Sequence, residues 1–340
     1  MSLSKSFVQH GMKLTYHVPS GVLRNAELSA LYPDWTPEKI RGKTGISERH
    51  VAADGETASD LAEQAARKLF SECGVVPTDI DYVLFCTQSP DYRLPTSACL
   101  LQHRLGLSKS IGALDFNLGC SGFVYGLSLA KGLVAGRMAR NVLLLTGETY
   151  TKYIHPQDRS VRTIFGDGAS ATFVDEDAAR RMGEFVFGTD GSGADWLKVP
   201  NGGARHAVNP RAEERTDRSG GRRTDNDLFM SGVDIFRFTL DVVPRALDEL
   251  CRRNGITRDD IDLYVFHQAN AFMLETIRTV TRIPRERFVV DLEDVGNTVS
   301  ASIPIALVRA EASGRLRPGM RVALVGFGVG LSWCATLVDW

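Results

Sequence analysis

Short apolar runs alternate with longer stretches of helical periodicity along the chain, which is the pattern of an α/β protein. The runs VLF (83–85), VLLL (142–145) and VALV (322–325) contain no alternating polar positions. They read as central strands covered on both faces. The stretch SGFVYGLSLAKGLV (121–134) instead spaces Phe123, Leu127, Ala130 and Val134 along one face of a helix.

Compared with itself, the chain shows an internal duplication. Residues 66–86 read ARKLFSECGVVPTDIDYVLFC, and residues 247–267 read LDELCRRNGITRDDIDLYVFH. Each is a helix end, a glycine stop, a polar turn and a strand. Gly255 follows Gly74 by 181 residues, and His267 follows Cys86 by the same 181. NVLLL (141–145) then corresponds to RVALV (321–325). Between these strands lie two strand–turn–helix units, ALDFNLGCSGFVYGLSLAKGL (113–133) and FVVDLEDVGNTVSASIPIALVRA (288–310). Two similar α/β halves are expected, 1–180 and 181–340. A site is expected at their junction, where equivalent strand ends meet.

Composition narrows the class. Forty basic against 41 acidic residues leave a net charge of −1, which argues against a large nucleic-acid footprint. With 43% hydrophobic and 24% charged residues, the chain reads as an ordinary globular protein. No run approaches the ~18–20 apolar residues of a membrane span. The opening MSLSKSFVQHG has neither the apolar core nor the cleavage site of a secretory signal. The six cysteines form no CxxC pair and no zinc-type spacing. These features predict a cytoplasmic protein with reduced thiols and no metal site. The polar, Arg- and Gly-rich stretch 201–228 reads as a solvated insertion, with a loop over a site mouth as the functional alternative.

Three polar residues fall at strand ends or tight turns of the duplicated frame. Cys120, after strand ALDFN and the Leu118-Gly119 turn, opens a helix whose N-terminal N–H groups and dipole are expected to lower its pKa. The same N–H groups can hold an oxyanion. His267 closes strand LYVF, a position suited to proton transfer or to donating to developing charge. Asn297, in VGNTVSAS, is the second-half counterpart of the Cys120 turn and can donate without titrating. Each has a structural alternative: a small core residue, a satisfied histidine, a helix cap. The Gly-rich GFGVGLSW (326–333) can offer a backbone N–H, but it lacks a phosphate-loop signature. IFGDGASATFV (164–174) reads as a structural turn into a strand.

In these contexts the chain resembles the β-ketoacyl-ACP synthase III family of the thiolase superfamily. The resemblance runs through KTGISERHVA (43–52), NLGCSGF, DRSVRTIFGDGA, FHQAN, GNTVSAS and GFGVGLSW. It implies a thiolase-like fold of layered αβαβα arrangement, a homodimer, and no cofactor. It further implies that Cys120 accepts an acyl group from acyl-CoA and condenses it with malonyl-ACP. His267 and Asn297 would then clamp the enolate, and the backbone N–H groups of Cys120 and Val329 would form the acyl oxyanion hole. Trp35, Arg159, Phe236, Asn270 and Phe327 would line the acyl-CoA path, with Leu94 in the acyl pocket.

Departures from the family pattern concern substrate contacts. Ala271 follows HQAN where an arginine that engages the carrier protein is usual. Ser47 and Val233 stand where an arginine and an asparagine contact CoA. Leu94, where some members have phenylalanine, predicts tolerance of acyl chains longer than acetyl. A specialised pathway is the corresponding expectation. The rival readings are acyl transfer to a hydroxyl or carrier thiol without decarboxylation, and a non-catalytic partner subunit. Cys334 reads as an inward-facing strand residue, which disfavours a thiolase with its second active-site cysteine.

Overall fold

The computed structural model describes residues 12–216 and 221–340. The N-terminal segment read against a secretory signal lies outside the described residues. Nine core strands form two sheets. The first contains β1 (Lys13–His17), β2 (Tyr82–Cys86), β3 (Gly112–Phe116), β4 (Val142–Glu148) and β5 (Gly168–Val174), in the order β1-β5-β4-β2-β3. The second contains β6 (Val186–Thr189), β7 (Leu263–Phe266), β8 (Arg321–Gly328) and β9 (Ser332–Asp339), in the order β7-β8-β9-β6. The corresponding pairs run alike: β2 is parallel to β4 and β7 to β8, while β4–β5 and β8–β9 are antiparallel.

The continuous apolar runs follow from burial on both faces of each sheet. In β4, Val142 and Leu144 point between the sheets, while Leu143 and Leu145 point outward under helix α1 (Ala58–Glu72). In β8, Val322 and Leu324 face inward and Ala323 and Val325 face the outer core. Two further helices, α2 (Ser97–Arg104) and α3 (Gly122–Ala135), belong to the first-sheet region. Helix α3 packs on strands of both sheets and so lies in the middle layer. Its buried residues include Phe123, Leu127, Ala130 and Val134, the predicted face. Helices α4 (Gly232–Asn254) and α5 (Ala271–Val280) cover the outside of the second sheet, and α6 (Ser302–Ala312) shares the middle layer. The result is the layered αβαβα order.

The duplicated glycines share one conformation. Gly74 after α1 and Gly255 after α4 both have φ of 64°, a left-handed geometry that glycine adopts without a Cβ penalty. Each is followed by a short 3₁₀ turn, Pro77–Asp79 or Arg258–Asp260, and then by a strand.

One expected strand is missing. FVVDL (288–292) makes only a single bridge to Tyr264. The Gln268 side chain takes over the pairing: its Oε1 accepts from Asp291 N–H at 2.7 Å, and its Nε2 donates to the Val289 carbonyl at 3.4 Å. A side-chain amide thus satisfies main-chain groups that a ladder would otherwise pair. The described residues of the polar stretch, 201–216 and 221–228, are mostly exposed but anchored at the C-terminal end. Arg222 N–H donates to the Gln157 carbonyl and Leu228 N–H to the Tyr153 carbonyl, and the Arg223 guanidinium lies 3.4 Å from Asp158. Cys334 is fully buried between the sheets.

Candidate active site

The turn after β3 carries Leu118, Gly119 and Cys120, and α3 follows with Ser121 as its N-cap. Cys120 therefore precedes the cap by one residue. From the other half, the Gly-rich end of β8 lies directly against it. A Cβ on Gly328 would sit 2.8 Å from Cys120 Cβ and 2.9 Å from its Sγ, and one on Gly326 would lie 2.9 Å from the Cys120 carbonyl oxygen. Real side chains do not approach this closely, so glycine is what lets the second half reach the thiol. The backbone N–H groups of Val329 and of Cys120 itself both face the sulfur.

A cavity of about 590 Å³ opens above Cys120. His267, Asn297, Phe327, Asn270 and Phe236 line it together with the thiol, so six sequence-predicted residues meet in one space. The remaining wall is mainly apolar and includes Ile164, Phe165, Met230, Leu240 and Met273. Phe236 stacks on Phe272 near the rim, where Phe272 and Val233 are each 63% exposed.

The charge state of Cys120 departs from the sequence expectation. Burial pushes its thiol up to about 12, and the Glu148 carboxylate adds to the rise. The N–H groups of Val329 and Cys120 pull it down but do not offset the loss of water. The resting nucleophile is a neutral thiol. Glu148, at the end of β4, is itself fully buried and pushed up to about 8 by burial. It accepts from the Gln88 N–H and from the hydroxyls of Ser89 (3.0 Å) and Ser300 (3.1 Å).

His267 is neutral as well. Burial holds its imidazole down at about 3, and a hydrogen bond with the Val299 backbone pulls the other way. Its Nδ1 lies 2.7 Å from Ser302 Oγ, and its ring meets Phe327 edge-on at 5.6 Å between centroids. Asn297 accepts the Val299 N–H through Oδ1 at 2.9 Å, so its amide N–H₂ is the end left for the cavity. Its own backbone is tied to the segment read as structural: Asn297 N–H donates to the Ile164 carbonyl, and Gly166 N–H to the Asn297 carbonyl. Val299, between the two polar residues, is held at φ 53°, an uncommon conformation for a β-branched side chain.

Three predicted contacts lie outside this cavity wall. Trp35 and Arg159 form their own group, with the Arg159 guanidinium 5.5 Å from the indole centroid and the ammonium groups of Lys43 and Lys39 at 5.5 and 5.8 Å. An aromatic face ringed by three cations suits a flat base bearing phosphates. Leu94 is 82% exposed and does not line the cavity of its own chain. Ser47 donates to Glu293, which also pairs with Arg41, so the hydroxyl serves a structural contact. Ala271 packs against Gly45. Glu148, Ser302 and the Ile164–Gly166 backbone were not singled out by sequence. Glu148 and the Ile164–Gly166 backbone act through contacts across the two halves, whereas Ser302 reaches His267 within the second half.

Comparison with known proteins sets this geometry in context. Residues 114–191 match the family described as 3-oxoacyl-[acyl-carrier-protein] synthase III, and residues 251–340 match its C-terminal domain. A β-ketoacyl-[acyl-carrier-protein] synthase III of Nitratidesulfovibrio vulgaris (strain DP4) is 39% identical over 95% of this chain and 96% of its own length. A crystal structure of a 3-oxoacyl-(acyl-carrier-protein) synthase III superposes with a TM-score of 0.95 at 53% identity, covering 97% of this chain and 99% of the other. The priming β-ketosynthase of the R1128 polyketide pathway superposes with a TM-score of 0.82 at 30% identity, over 96% of this chain and 94% of the other. No described helix is long and apolar enough to cross a membrane.

Proposed function

The chain belongs to the 3-oxoacyl-[acyl-carrier-protein] synthase III family, and from that premise we propose that it condenses an acyl-CoA starter with malonyl-ACP through an acyl-Cys120 thioester. The observation that carries this reading is the convergence of a thiol and two neutral hydrogen-bond donors in one largely apolar cavity.

In the first half-reaction the Cys120 sulfur attacks the acyl-CoA carbonyl. The oxyanion is held by the N–H groups of Cys120 and Val329, the CoA sulfur leaves, and the thiol proton ends on it. In the second, malonyl-ACP loses carbon dioxide. The electron pair of the broken C–C bond passes into an enolate whose oxygen is held by His267 and Asn297. The enolate carbon then attacks the acyl carbonyl, Cys120 leaves as a thiolate and takes a proton from solvent, and β-ketoacyl-ACP departs. Neutral donors suit this step because they are preorganised where charge develops and are too weakly acidic to protonate the enolate. A thioester divides one hard condensation into two easier steps. The chemistry rests on side chains and backbone alone, without metal or redox cofactor.

Trp35 and Arg159 are assigned to the CoA nucleotide, with Phe236, Asn270 and Phe327 along the acyl-pantetheine path. The two sheets are read as duplicated halves, 1–180 and 181–340, each supplying part of the site. A homodimer is proposed on the free edge of β3, whose Leu114 is 44% exposed. Leu94 would enter the acyl pocket from the partner chain and, being smaller than phenylalanine, would leave room for chains beyond acetyl. A cytoplasmic location and a specialised pathway complete the reading.

The test is intact-protein mass after incubation with acetyl- to octanoyl-CoA, beside Cys120→Ala. An adduct on the unmodified chain alone, discharged with carbon dioxide release on adding malonyl-ACP, is the expected result. An adduct without decarboxylation assigns simple acyl transfer. Absence of any adduct contradicts the proposal. A strict preference for acetyl-CoA contradicts the chain-length assignment.

A further inference from the structure

Ser302 is the first residue of α6 and sits behind His267, out of the cavity. It is 2% exposed, so its hydroxyl is shielded from bulk water. Two hydrogen bonds define it. The main-chain N–H of Gln268 donates to Oγ at 3.3 Å, and Oγ lies 2.7 Å from His267 Nδ1. A hydroxyl that accepts from a backbone N–H still carries one proton to place. Among the described residues, Nδ1 is the one acceptor it reaches. The imidazole is neutral, so it holds a single ring proton. If the serine donates to Nδ1, that ring proton must sit on Nε2.

From this geometry we infer that Ser302 is a positioning residue: it donates to Nδ1, fixes His267 as the Nε2–H tautomer, and so turns the ring into a donor toward the cavity. The opposite tautomer would turn Nδ1–H toward the Val299 carbonyl or onto an oxygen that already accepts from Gln268 N–H, and in either case would strand the serine proton. An Nε2 lone pair facing the cavity would also repel an enolate oxygen instead of holding it. The inference rests on the condensing role proposed above. It adds the residue that makes the histidine a donor in a site where no carboxylate among the described residues hydrogen-bonds to its ring. In hydrolase triads a buried carboxylate does the orienting and raises the basicity of the histidine. A serine orients without adding negative charge, which suits a donor better than a base.

The experiment pairs nitrogen NMR with partial reactions. The full chain, labelled with ¹⁵N-histidine, is measured at neutral pH, and the His267 signals are identified by their loss in His267→Ala. Nδ1 is expected to be bare and Nε2 protonated. In Ser302→Ala that assignment should invert or become a mixture, and in Ser302→Thr it should return. Carbon dioxide release from malonyl-ACP should fall roughly 10–100-fold in Ser302→Ala and recover in Ser302→Thr, the range typical when the partner that orients a metal-bound histidine is removed. Acylation of Cys120, read by intact mass, should change only a few-fold. A protonated Nδ1 in the unmodified chain, bonded to the Val299 carbonyl, overturns the inference. So does decarboxylation by Ser302→Ala at the original rate. If the unmodified chain shows the expected tautomer but releases no carbon dioxide, the tautomer assignment stands and the condensing reading fails.

Discussion

Cys120 carries its proton at neutral pH because burial opposes a thiolate, and Glu148 adds to that opposition once it ionises. This has a direct readout. The alkylation rate of the substrate-free enzyme with iodoacetamide should climb about tenfold per pH unit from pH 7 to 10 without levelling, since only the thiolate reacts. A plateau near pH 8 would show that the helix N-terminus wins after all. His267, held at about 3, should contribute no loss of decarboxylation between pH 8 and 5. The position of the cysteine was legible from NLGCSGF, whose turn and helix start are local features. Its charge state was not, because the water it loses is displaced by β8, about 200 residues further along.

At the scale of elements, the close packing of β8 on the cysteine turn decides what the site tolerates. Gly328→Ala places a methyl group within 3 Å of the nucleophile, on a strand clamped between two neighbours. Neither side can yield cheaply. Acylation should fall about 100-fold, the cost of displacing a reacting group by around 1 Å, while far-ultraviolet circular dichroism stays unchanged. Single-turnover acylation followed by mass measures it, and a rate within threefold of the original would refute the packing argument. The strands themselves were easy to read, since burial on both faces leaves an unbroken apolar run. FVVDL was misread for the same reason. Phe288 and Val289 are buried like strand residues, yet Gln268 supplies the hydrogen bonds that a neighbouring strand would provide. Long-range substitution of that kind leaves no periodic trace.

At the scale of the molecule, Glu148 is a tie between the two sheets. It ends a strand of the first sheet, and Ser300, which donates to it, lies in the turn that begins with Asn297. Its carboxyl sits at about 8 against an ordinary 4.5, so between those values the folded chain holds a proton that the unfolded chain has released. Stability should therefore decline as pH rises from 4.5 to 8. Glu148→Gln should flatten that decline by on the order of 5 kcal/mol across the window, measured by urea unfolding at several pH values. An unchanged slope would place the titration elsewhere. The free edge of β3 makes a second prediction at this scale. Light scattering should give twice the 37.3 kDa of one chain, and Leu114→Arg should shift the population toward single chains. Because Leu94 is proposed to complete the partner's cavity, that variant should also lose acyl-chain selectivity.

The order of the elements in the chain has a consequence for biosynthesis. The nucleophile is made early, and the strand that walls it in emerges some 200 residues later. At ribosomal rates of about 5–20 residues per second, that leaves roughly 10–40 s in which the first sheet can form while its cysteine turn still faces open water. During that interval Cys120 is an ordinary exposed thiol, open to oxidants and to stray thioesters. Arrival of the glycine strand both completes the site and shields it, so maturation and protection are the same event.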